Sequence, residues 1–348
     1  MTEIDTQSIF DNTTKIHLET VHECLDNIPT GSSNLYHYTS LDTARKILES
    51  GKLRFTNMMY LNDPNEIREG LDLAKTVLWA RIERLIAEDK QHIAQLLAAP
   101  FLHLLVSLTP RSNRNHQRDG LLEQYVKWFG KDITNSYETF WQRDWQIYIC
   151  CLSERSDSLR QWLPYAEDGK GTAIGFKGIE GETHQIGPNP ILRVCYAPNE
   201  EKERYLNTLL DRLFKYYEDI VQVQMAHYKG DFSQSPIAAF LVSVTDALIQ
   251  DIVACKNPHY EDEQEWRMYY FRDDGLFDED AKRYPKFFVR NGVIKPYYEF
   301  EYTAESLVDI KLGPQANFEL NRNALELLLE KNGMTNCSVS KSDAQYRG

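Results

Sequence analysis

One short stretch, residues 35–57, constrains the fold more than any other, because it predicts a strand, a helix and a second strand in immediate succession. Aromatic and polar residues alternate up to Thr39, which is the two-residue period of a β-strand. Ser40 or Asp42 can then cap a helix with a single apolar stripe, and Gly51 can end that helix in the left-handed conformation. The chain therefore predicts a sheet with a helix packed on it.

His37 lies near the end of the first predicted strand, on the same face as Leu35 and Thr39. Strand ends are places where a sheet presents side chains to a ligand, and an imidazole can gain or lose a proton near neutral pH. His37 is therefore the first candidate for chemistry in the chain. The alternative is a structural histidine that is hydrogen-bonded to a neighbouring carbonyl, and this stretch alone favours that alternative.

The composition is that of a folded, acidic protein. Its 348 residues are 42% hydrophobic and carry a formal net charge of -13. No apolar run reaches the roughly 18 residues of a membrane span, and the start lacks the features of a secretory signal, so we expect a cytoplasmic protein without membrane contact. Six scattered cysteines show no C-x-x-C spacing, which predicts buried thiols. An acidic surface disfavours broad nucleic-acid binding, although residues 111–118 predict an exposed loop of positive potential.

The order of the remaining elements predicts an α+β fold, with a central mixed or antiparallel sheet and a substantial layer of inserted helices. The predicted organisation is a leading helix packed on the core at 1–33, a single α+β domain at 34–348, and helical inserts at about 64–145 and 199–256. The first insert begins with a helix-start signal in which Asp63 is the N-cap and Glu66 the third helical residue. Residues 337–339 are predicted to close the sheet.

The segment from Glu261 to Arg267 holds four carboxylates and then enters a predicted strand. Alternation along that strand predicts that Glu263, Glu265 and Arg267 share one face. Crowded like charges raise at least one carboxyl pKa or require a cationic partner, and both situations are common at active sites. The alternative is a solvated acidic turn in which Glu265 and Arg267 form a structural ion pair. The residues leave both interpretations of Glu265 open.

Several motifs together resemble a widespread bacterial family that is known only as a domain of unknown function. The motifs are His37-Tyr38-Thr39, the segment Leu61 to Glu66, Leu152-Ser153-Glu154, Trp162, Tyr165 and Gly171 before Ile174-Gly175-Phe176, the run Glu263-x-Glu265-Trp266-Arg267, and Ile310 to Pro314. The resemblance extends from Leu35 to Arg347, but residues 200–254 carry none of the motifs. This family resemblance implies no activity.

A more distant resemblance is to the ADP-ribosyltransferase superfamily, in particular its histidine, tyrosine and glutamate branch, which includes bacterial toxins that modify DNA. The resemblance rests on His37 in the first strand, the helix that ends at Gly51, and the late-strand Glu265. It implies that NAD is the substrate, that the histidine bonds the ribose and that an aromatic ring stacks on the nicotinamide. The glutamate would stabilise the positive charge that develops as the glycosidic bond breaks. The implied site comprises Glu265 and Glu263 as catalytic groups, and His37, Tyr38, Thr39, Tyr165, Trp162 and Arg267 as NAD-binding groups.

Some assignments stay open after this comparison. Tyr165 fits the stacking position by its place before a strand, with Tyr60 and Tyr38 as rivals. The acceptor is an unknown protein or nucleic acid, and a toxin or phage-defence effector of this type can have an inhibitory partner protein. One alternative is a non-catalytic module that binds a ligand or partner. Another is a nuclease or hydrolase that uses a divalent metal held by Asp63, Glu66, Glu263 and Glu265; the leading interpretation includes no metal.

Overall fold

The computed structural model describes residues 6–25, 34–61, 65–107, 111–129, 146–177, 185–186, 189–218, 236–272, 284–290 and 292–346. The helices are α1 (Thr6–Leu25), α2 (Leu41–Ser50), α3 (Asn65–Ala87), α4 (Gln91–Ser107), α5 (Arg111–Phe129), α6 (Leu159–Tyr165), α7 (Asn199–Tyr216), α8 (Pro236–Ala254) and α9 (Phe318–Lys331). The strands are β1 (Leu35–Thr39), β2 (Lys52–Asn57), β3 (Gln146–Ser153), β4 (Thr172–Phe176), β5 (Gln185–Ile186), β6 (Asn189–Arg193), β7 (Glu265–Arg272), β8 (Lys286–Arg290), β9 (Val293–Glu301), β10 (Leu307–Leu312) and β11 (Ser338–Lys341).

The strands form a mixed sheet whose main path is β11-β10-β4-β1-β3-β2-β9-β8. β10 and β11 are parallel, whereas the other neighbours on this path are antiparallel. A branch leaves the path at β3, because β7 pairs with β3 along its length and with β6 on its other side. The predicted α+β class with a mixed sheet is confirmed, and β11 closes one end of the sheet as expected.

The sheet divides where β1 and β2 both approach β3. β1 pairs with β3 at Tyr36↔Ser153, and β2 pairs with β3 at Thr56↔Ile149 and the adjacent position. Both strands are antiparallel to β3 and lie on the edge that does not face β7. Cys151 lies between the two contacts, where β1 and β2 turn away towards β4 and β9. We call this opening between β1 and β2 the fork.

Helices cover both faces of the sheet. On one face, α1, α3, α4, α5, α7 and α8 share a core with Ile147 and Ile149 of β3 and with Tyr269 of β7. These helices include α3, α4 and α5 from the first predicted insert and α7 and α8 from the second, and α1 packs on α7 and α8. The other face packs against α2 and α9, and a small third cluster lies under α6 around Trp162.

Local signals near the start of the sheet behave as the sequence predicts. The hydroxyl of Ser40 accepts a hydrogen bond from the Thr43 backbone amide, so Ser40 is the N-cap of α2. Gly51 ends the helix with a φ of 65°. The expected loop at residues 111–118 is wrong, because α5 begins at Arg111. Arginine and glutamine are good helix formers, so a polar run can begin an exposed helix as readily as it can form a loop.

α8 is the one helix in the described part of the chain that is long and apolar enough to cross a membrane. Phe240, Leu248 and Val253 of this helix are nevertheless buried in the helical layer. A core helix of a soluble protein has the same length and composition, so α8 is weak evidence for a membrane span. The expected cytoplasmic location stays a prediction.

Gly171 is a position where the fold tolerates no side chain. A Cβ at Gly171 would lie 2.3 Å from the Thr39 carbonyl oxygen and 2.9 Å from that of Ala166. We expect Gly171→Ala to lower the free energy of unfolding by about 1–3 kcal/mol, because backbone atoms must move to accept the methyl group. Urea unfolding followed by circular dichroism would measure this change.

Gly120 provides the matched control. A Cβ there meets no atom within 4 Å, and the residue lies inside α5. Gly120→Ala is therefore expected to raise the free energy of unfolding by about 0.5–1 kcal/mol through helix propensity alone. Equal effects of the two substitutions would contradict the close approach at Gly171.

Candidate functional site

A buried lysine joins the two carboxylates that the sequence singles out. Lys256, two residues beyond the end of α8, donates from Nζ to Glu263 at 2.8 Å and to Glu265 at 2.7 Å. The Lys256 side chain is 2% exposed, and those of Glu263 and Glu265 are 12% and 6% exposed. Since a buried ammonium group needs anionic partners, Lys256 and the two carboxylates stabilise one another's charged forms.

Arg267 completes this cluster from β7. Its Nε donates to Glu265 at 2.8 Å, and a second guanidinium nitrogen donates to the Val253 carbonyl of α8 at 2.6 Å. Burial alone would raise the pKa of Glu265, but the charges and hydrogen bonds of Arg267 and Lys256 hold that pKa well below its ordinary value. Glu265 is thus kept ionised by two cations. Lys256, Arg267, Glu263 and Glu265 together are called the ion cluster.

The backbone before β7 explains how two carboxylates reach one ammonium group. Glu263 ends a short 3-10 helix, Pro258–Glu263, and Gln264 adopts a left-handed conformation with a φ of 42°. The expectation that Glu263 shares a strand face with Glu265 and Arg267 is therefore wrong, because β7 begins only at Glu265. The turn at Gln264 brings the Glu263 carboxylate to Lys256 by a different route, so the two acidic groups still meet.

Two tyrosines lie against the ion cluster. Tyr165, the last residue of α6, is half-buried; burial raises the pKa of its hydroxyl, and the negative charge of Glu263 raises it further. Tyr196 accepts a hydrogen bond at its hydroxyl from the Glu265 backbone amide at 2.9 Å. Glu263 acts on Tyr165 more strongly than Glu265 does. The charge of the ion cluster therefore acts on Tyr165 mainly through Glu263.

His37 lies at the fork. Its Nδ1 donates to the Cys151 carbonyl of β3 at 2.9 Å, at a point where neither β1 nor β2 pairs with β3. A carbonyl only accepts, so in the neutral imidazole Nδ1 carries the hydrogen and Nε2 keeps a lone pair. Burial lowers the pKa of His37, which favours this neutral form. The Nδ1 bond is the carbonyl contact that a structural histidine would make. The second ring nitrogen, Nε2, can still accept a hydrogen bond.

The remaining predicted binding residues, Tyr38, Thr39 and Trp162, are buried and hold the elements around the site in place. Tyr38 and Trp162 meet edge to face with ring centroids 4.7 Å apart, and the Tyr38 hydroxyl donates to the Arg155 carbonyl at 2.6 Å. The Trp162 indole donates to Asp157 at 2.7 Å. Thr39 is buried and pairs with Thr172 of β4. These contacts hold α6 on the sheet and so place Tyr165 beside the ion cluster.

The ladder relates His37 to Glu265. Tyr36, Ser153 and Glu265 lie opposite one another on β1, β3 and β7, so their side chains share one face, which we call the front face. His37 follows Tyr36 and starts from the opposite face, with its ring directed at the β3 backbone. Two strand spacings separate β1 from β7, which is about 10 Å. A ligand that touches both residues must therefore reach across β3.

The proposed metal cluster does not form among the described residues. Asp63 lies outside them, and the side chain of Glu66 is likewise not described. Glu263 and Glu265 bind the ammonium group of Lys256, which occupies the position where a cation would sit between them. No group of three histidine, cysteine or acidic side chains suited to a metal occurs in the part of the chain that is described.

Lys256 is the main site residue that the sequence does not reveal. It lies 7 and 9 residues before its two partners and follows a long apolar helix, which is a weak signal for a buried cation. Arg54 and Arg290 also escape prediction, although both act electrostatically on His37. A search for basic residues flanking the acidic segment would have found Lys256, whereas Arg54 and Arg290 depend on strand pairing.

No curated protein and no solved structure matches this chain. The segment that holds α6, the ion cluster and the start of β7 does have a family match. Residues 161–268 match the model of a family described as a protein of unknown function (DUF2971), which confirms over that segment the predicted resemblance to a domain of unknown function.

Proposed function

We propose that this protein is an ADP-ribosyltransferase-like enzyme, which binds NAD at the fork, breaks its nicotinamide–ribose bond and transfers ADP-ribose to an acceptor. The observation that carries the proposal is the position of Glu263, whose carboxylate accepts a hydrogen bond from buried Lys256 at 2.8 Å and whose charge acts on Tyr165. A carboxylate near an aromatic ring suits this reaction. The aromatic ring can stack on the nicotinamide, and the carboxylate can stabilise the positive charge that develops on the ribose as the bond breaks.

The reaction needs no metal and no redox partner. The bond between the ribose C1′ and the nicotinamide nitrogen breaks, and its electron pair leaves with the nicotinamide, which becomes neutral. Positive charge then develops at C1′ and the ring oxygen. A nucleophilic oxygen or nitrogen of the acceptor, or water in its absence, bonds to C1′ and loses its proton. In this proposal the negative charge of Glu263 stabilises that positive charge.

The other residues have distinct roles in this proposal. Tyr165 stacks on the nicotinamide ring, and His37 accepts a hydrogen bond from a ribose hydroxyl at Nε2, since its Nδ1 is bound to Cys151. Glu265 and Arg267 are more deeply buried than Glu263, so they position Lys256 and thereby Glu263. Tyr38, Thr39 and Trp162 hold α6 on the sheet and so keep Tyr165 in position.

An enzyme of this type in the cytoplasm would act as a toxin or phage-defence effector on a protein or nucleic-acid acceptor, with an inhibitory partner protein to restrain it. The alternative of a non-catalytic binding module shares the same surface. It differs in one respect, since such a module binds NAD and releases it unchanged.

Nicotinamide release by the purified full chain tests the proposal. We expect wild-type protein to release nicotinamide from NAD, and Glu263→Gln to slow the release on the order of 100-fold, because the amide keeps the shape of the side chain and loses its charge. Chromatography of the nicotinamide product, with cell extract as the source of acceptor, provides the measurement.

Glu261→Gln is the control for this experiment. Glu261 lies in the same 3-10 helix, is exposed, and should leave the rate unchanged. Circular dichroism of each variant would establish that the chain is folded. Folded wild-type protein that releases no nicotinamide, or a Glu263→Gln rate equal to that of the wild type, would refute the enzyme and leave the binding module.

A further inference from the structure

A surface of positive charge lies next to the fork and has no role in the site described so far. It consists of Arg54 on β2, Arg290 at the end of β8 and Lys295 on β9, and is called the basic surface. The pairings Thr56↔Tyr297, Lys286↔Tyr297 and Phe288↔Lys295 place these side chains on one face. Thr56 also pairs with Ile149 of β3, so this is the front face of the sheet.

Arg54 is held in a fixed orientation. Its guanidinium carbon lies 4.5 Å from the ring centroid of Phe288 and 4.3 Å from that of Tyr297. Its Nε is buried and has no hydrogen-bond partner among the described residues. Aromatic rings on a guanidinium group orient its plane without using its donors. The plane of the Arg54 guanidinium group is therefore oriented by the two rings.

Arg290 and Lys295, the other two cations, interact electrostatically with each other. Unlike their neighbour Lys286, they are not paired with a described carboxylate. Arg290 is exposed and forms no ion pair with any described residue. The Lys295 ammonium donates to the Tyr60 carbonyl at 2.6 Å, and burial followed by the charge of Arg290 lowers the pKa of Lys295. Lys286, in contrast, is bound to Glu299 at 2.5 Å. The basic surface thus keeps positive charge that described carboxylates do not neutralise.

The basic surface extends to the fork itself. Burial is the main cause that lowers the pKa of His37, and the positive charges of Arg54 and Arg290 lower it further. Both guanidinium charges therefore act electrostatically on the imidazole.

We infer that Arg54, Arg290 and Lys295 form a phosphate subsite that holds the diphosphate of the dinucleotide whose ribose lies at His37. The inference rests on the proposed function, since it extends the same ligand from His37 at the fork onto the basic surface. Planar guanidinium groups match phosphate oxygens with paired hydrogen bonds, and an ammonium group adds a point charge. The diphosphate joins two riboses, so a ribose at His37 places it next to the basic surface.

Calorimetric titration of the full chain with ADP tests the subsite. ADP carries the diphosphate and lacks nicotinamide, so its binding is independent of bond cleavage. We expect wild-type protein to bind ADP, and Arg290→Gln to raise its Kd by about tenfold or more through the loss of charge-assisted hydrogen bonds. Arg54→Lys keeps the charge but loses the planar set of guanidinium donors, and should raise the Kd by about fivefold.

Lys286→Gln is the matched control. Lys286 lies on β8 like Arg290, but its positive charge is already neutralised by Glu299. It should leave the Kd for ADP within about twofold of the wild-type value. A folded wild-type protein that binds no ADP, or an Arg290→Gln variant with an unchanged Kd, would overturn the subsite. Tighter binding of a labelled single-stranded oligonucleotide than of ADP, lost in Arg290→Gln, would assign the surface to a nucleic-acid backbone and also overturn the inference.

The two proposals fail separately. Absence of nicotinamide release refutes the enzyme while ADP binding still reports on the subsite. Nicotinamide release with an unchanged Kd in Arg290→Gln refutes the subsite and leaves the enzyme.

Discussion

Replacement of Lys256 by methionine is expected to lower the free energy of unfolding by about 3–5 kcal/mol, because it leaves two buried carboxylates with one cation fewer. Lys256 contacts both Glu263 and Glu265, and its side chain is almost fully buried. Methionine has a similar volume, so the loss reports on charge and hydrogen bonding more than on a cavity. Urea unfolding followed by tryptophan fluorescence would measure it.

Two further variants distinguish this explanation from a general loss of packing. Lys46→Met removes an exposed lysine that is paired with Asp42 on α2, and it should leave stability unchanged. The double variant Lys256→Met with Glu263→Gln should recover about 1–3 kcal/mol of the loss, because Glu265 keeps Arg267 as its partner and the Glu263 charge that lost Lys256 is gone. If the double variant is no more stable than Lys256→Met, the ion cluster is not the source of the effect.

Trp162→Ala is expected to lower the free energy of unfolding by about 3–5 kcal/mol. The indole is fully buried, packs edge to face on Tyr38 and donates to Asp157. Its loss creates a cavity under α6 and removes a hydrogen bond from a partly buried carboxylate. Because α6 positions Tyr165, the same variant should also weaken any function of the front face. Chemical unfolding provides the stability measurement.

Leu163 lies on the same helix and provides the control for Trp162. It is 41% exposed, so Leu163→Ala should change stability by less than about 0.5 kcal/mol. Trp162→Phe keeps an aromatic ring and loses the hydrogen bond to Asp157, so a cost of about 1–2 kcal/mol is expected. Comparable losses for Leu163→Ala and Trp162→Ala would show that α6 depends on its helix propensity and not on the buried ring.

The parts of this structure that sequence predicts well depend on near neighbours. Ser40 caps α2 and Gly51 ends it because capping needs only residues within one helical turn. The ion pair of Glu265 with Arg267 is also local, since two residues separated by one position share a strand face. Local patterns therefore predict the strand–helix–strand start and half of the ion cluster.

The remaining features depend on long-range pairing or on an unusual backbone. Glu263 reaches Lys256 only because Gln264 has a positive φ, a conformation that glutamine rarely adopts. The fork depends on the register of β1 and β2 against β3, which brings together residues more than 90 positions apart. Arg54 and Arg290 act electrostatically on His37 through the same kind of long-range strand pairing. Neither periodicity nor spacing contains this information.

The basic surface has a consequence for which anions can reach the fork. The chain as a whole carries a net charge of -13, so its surroundings repel negative charge. In physiological salt an electrostatic field decays over about 8 Å, so a small diphosphate close to Arg54 and Arg290 senses mainly those cations. A long polyanion would extend beyond these cations and would meet the repulsion of the net negative chain. If the basic surface binds phosphate as proposed, we expect it to favour short phosphate esters over extended polyanions.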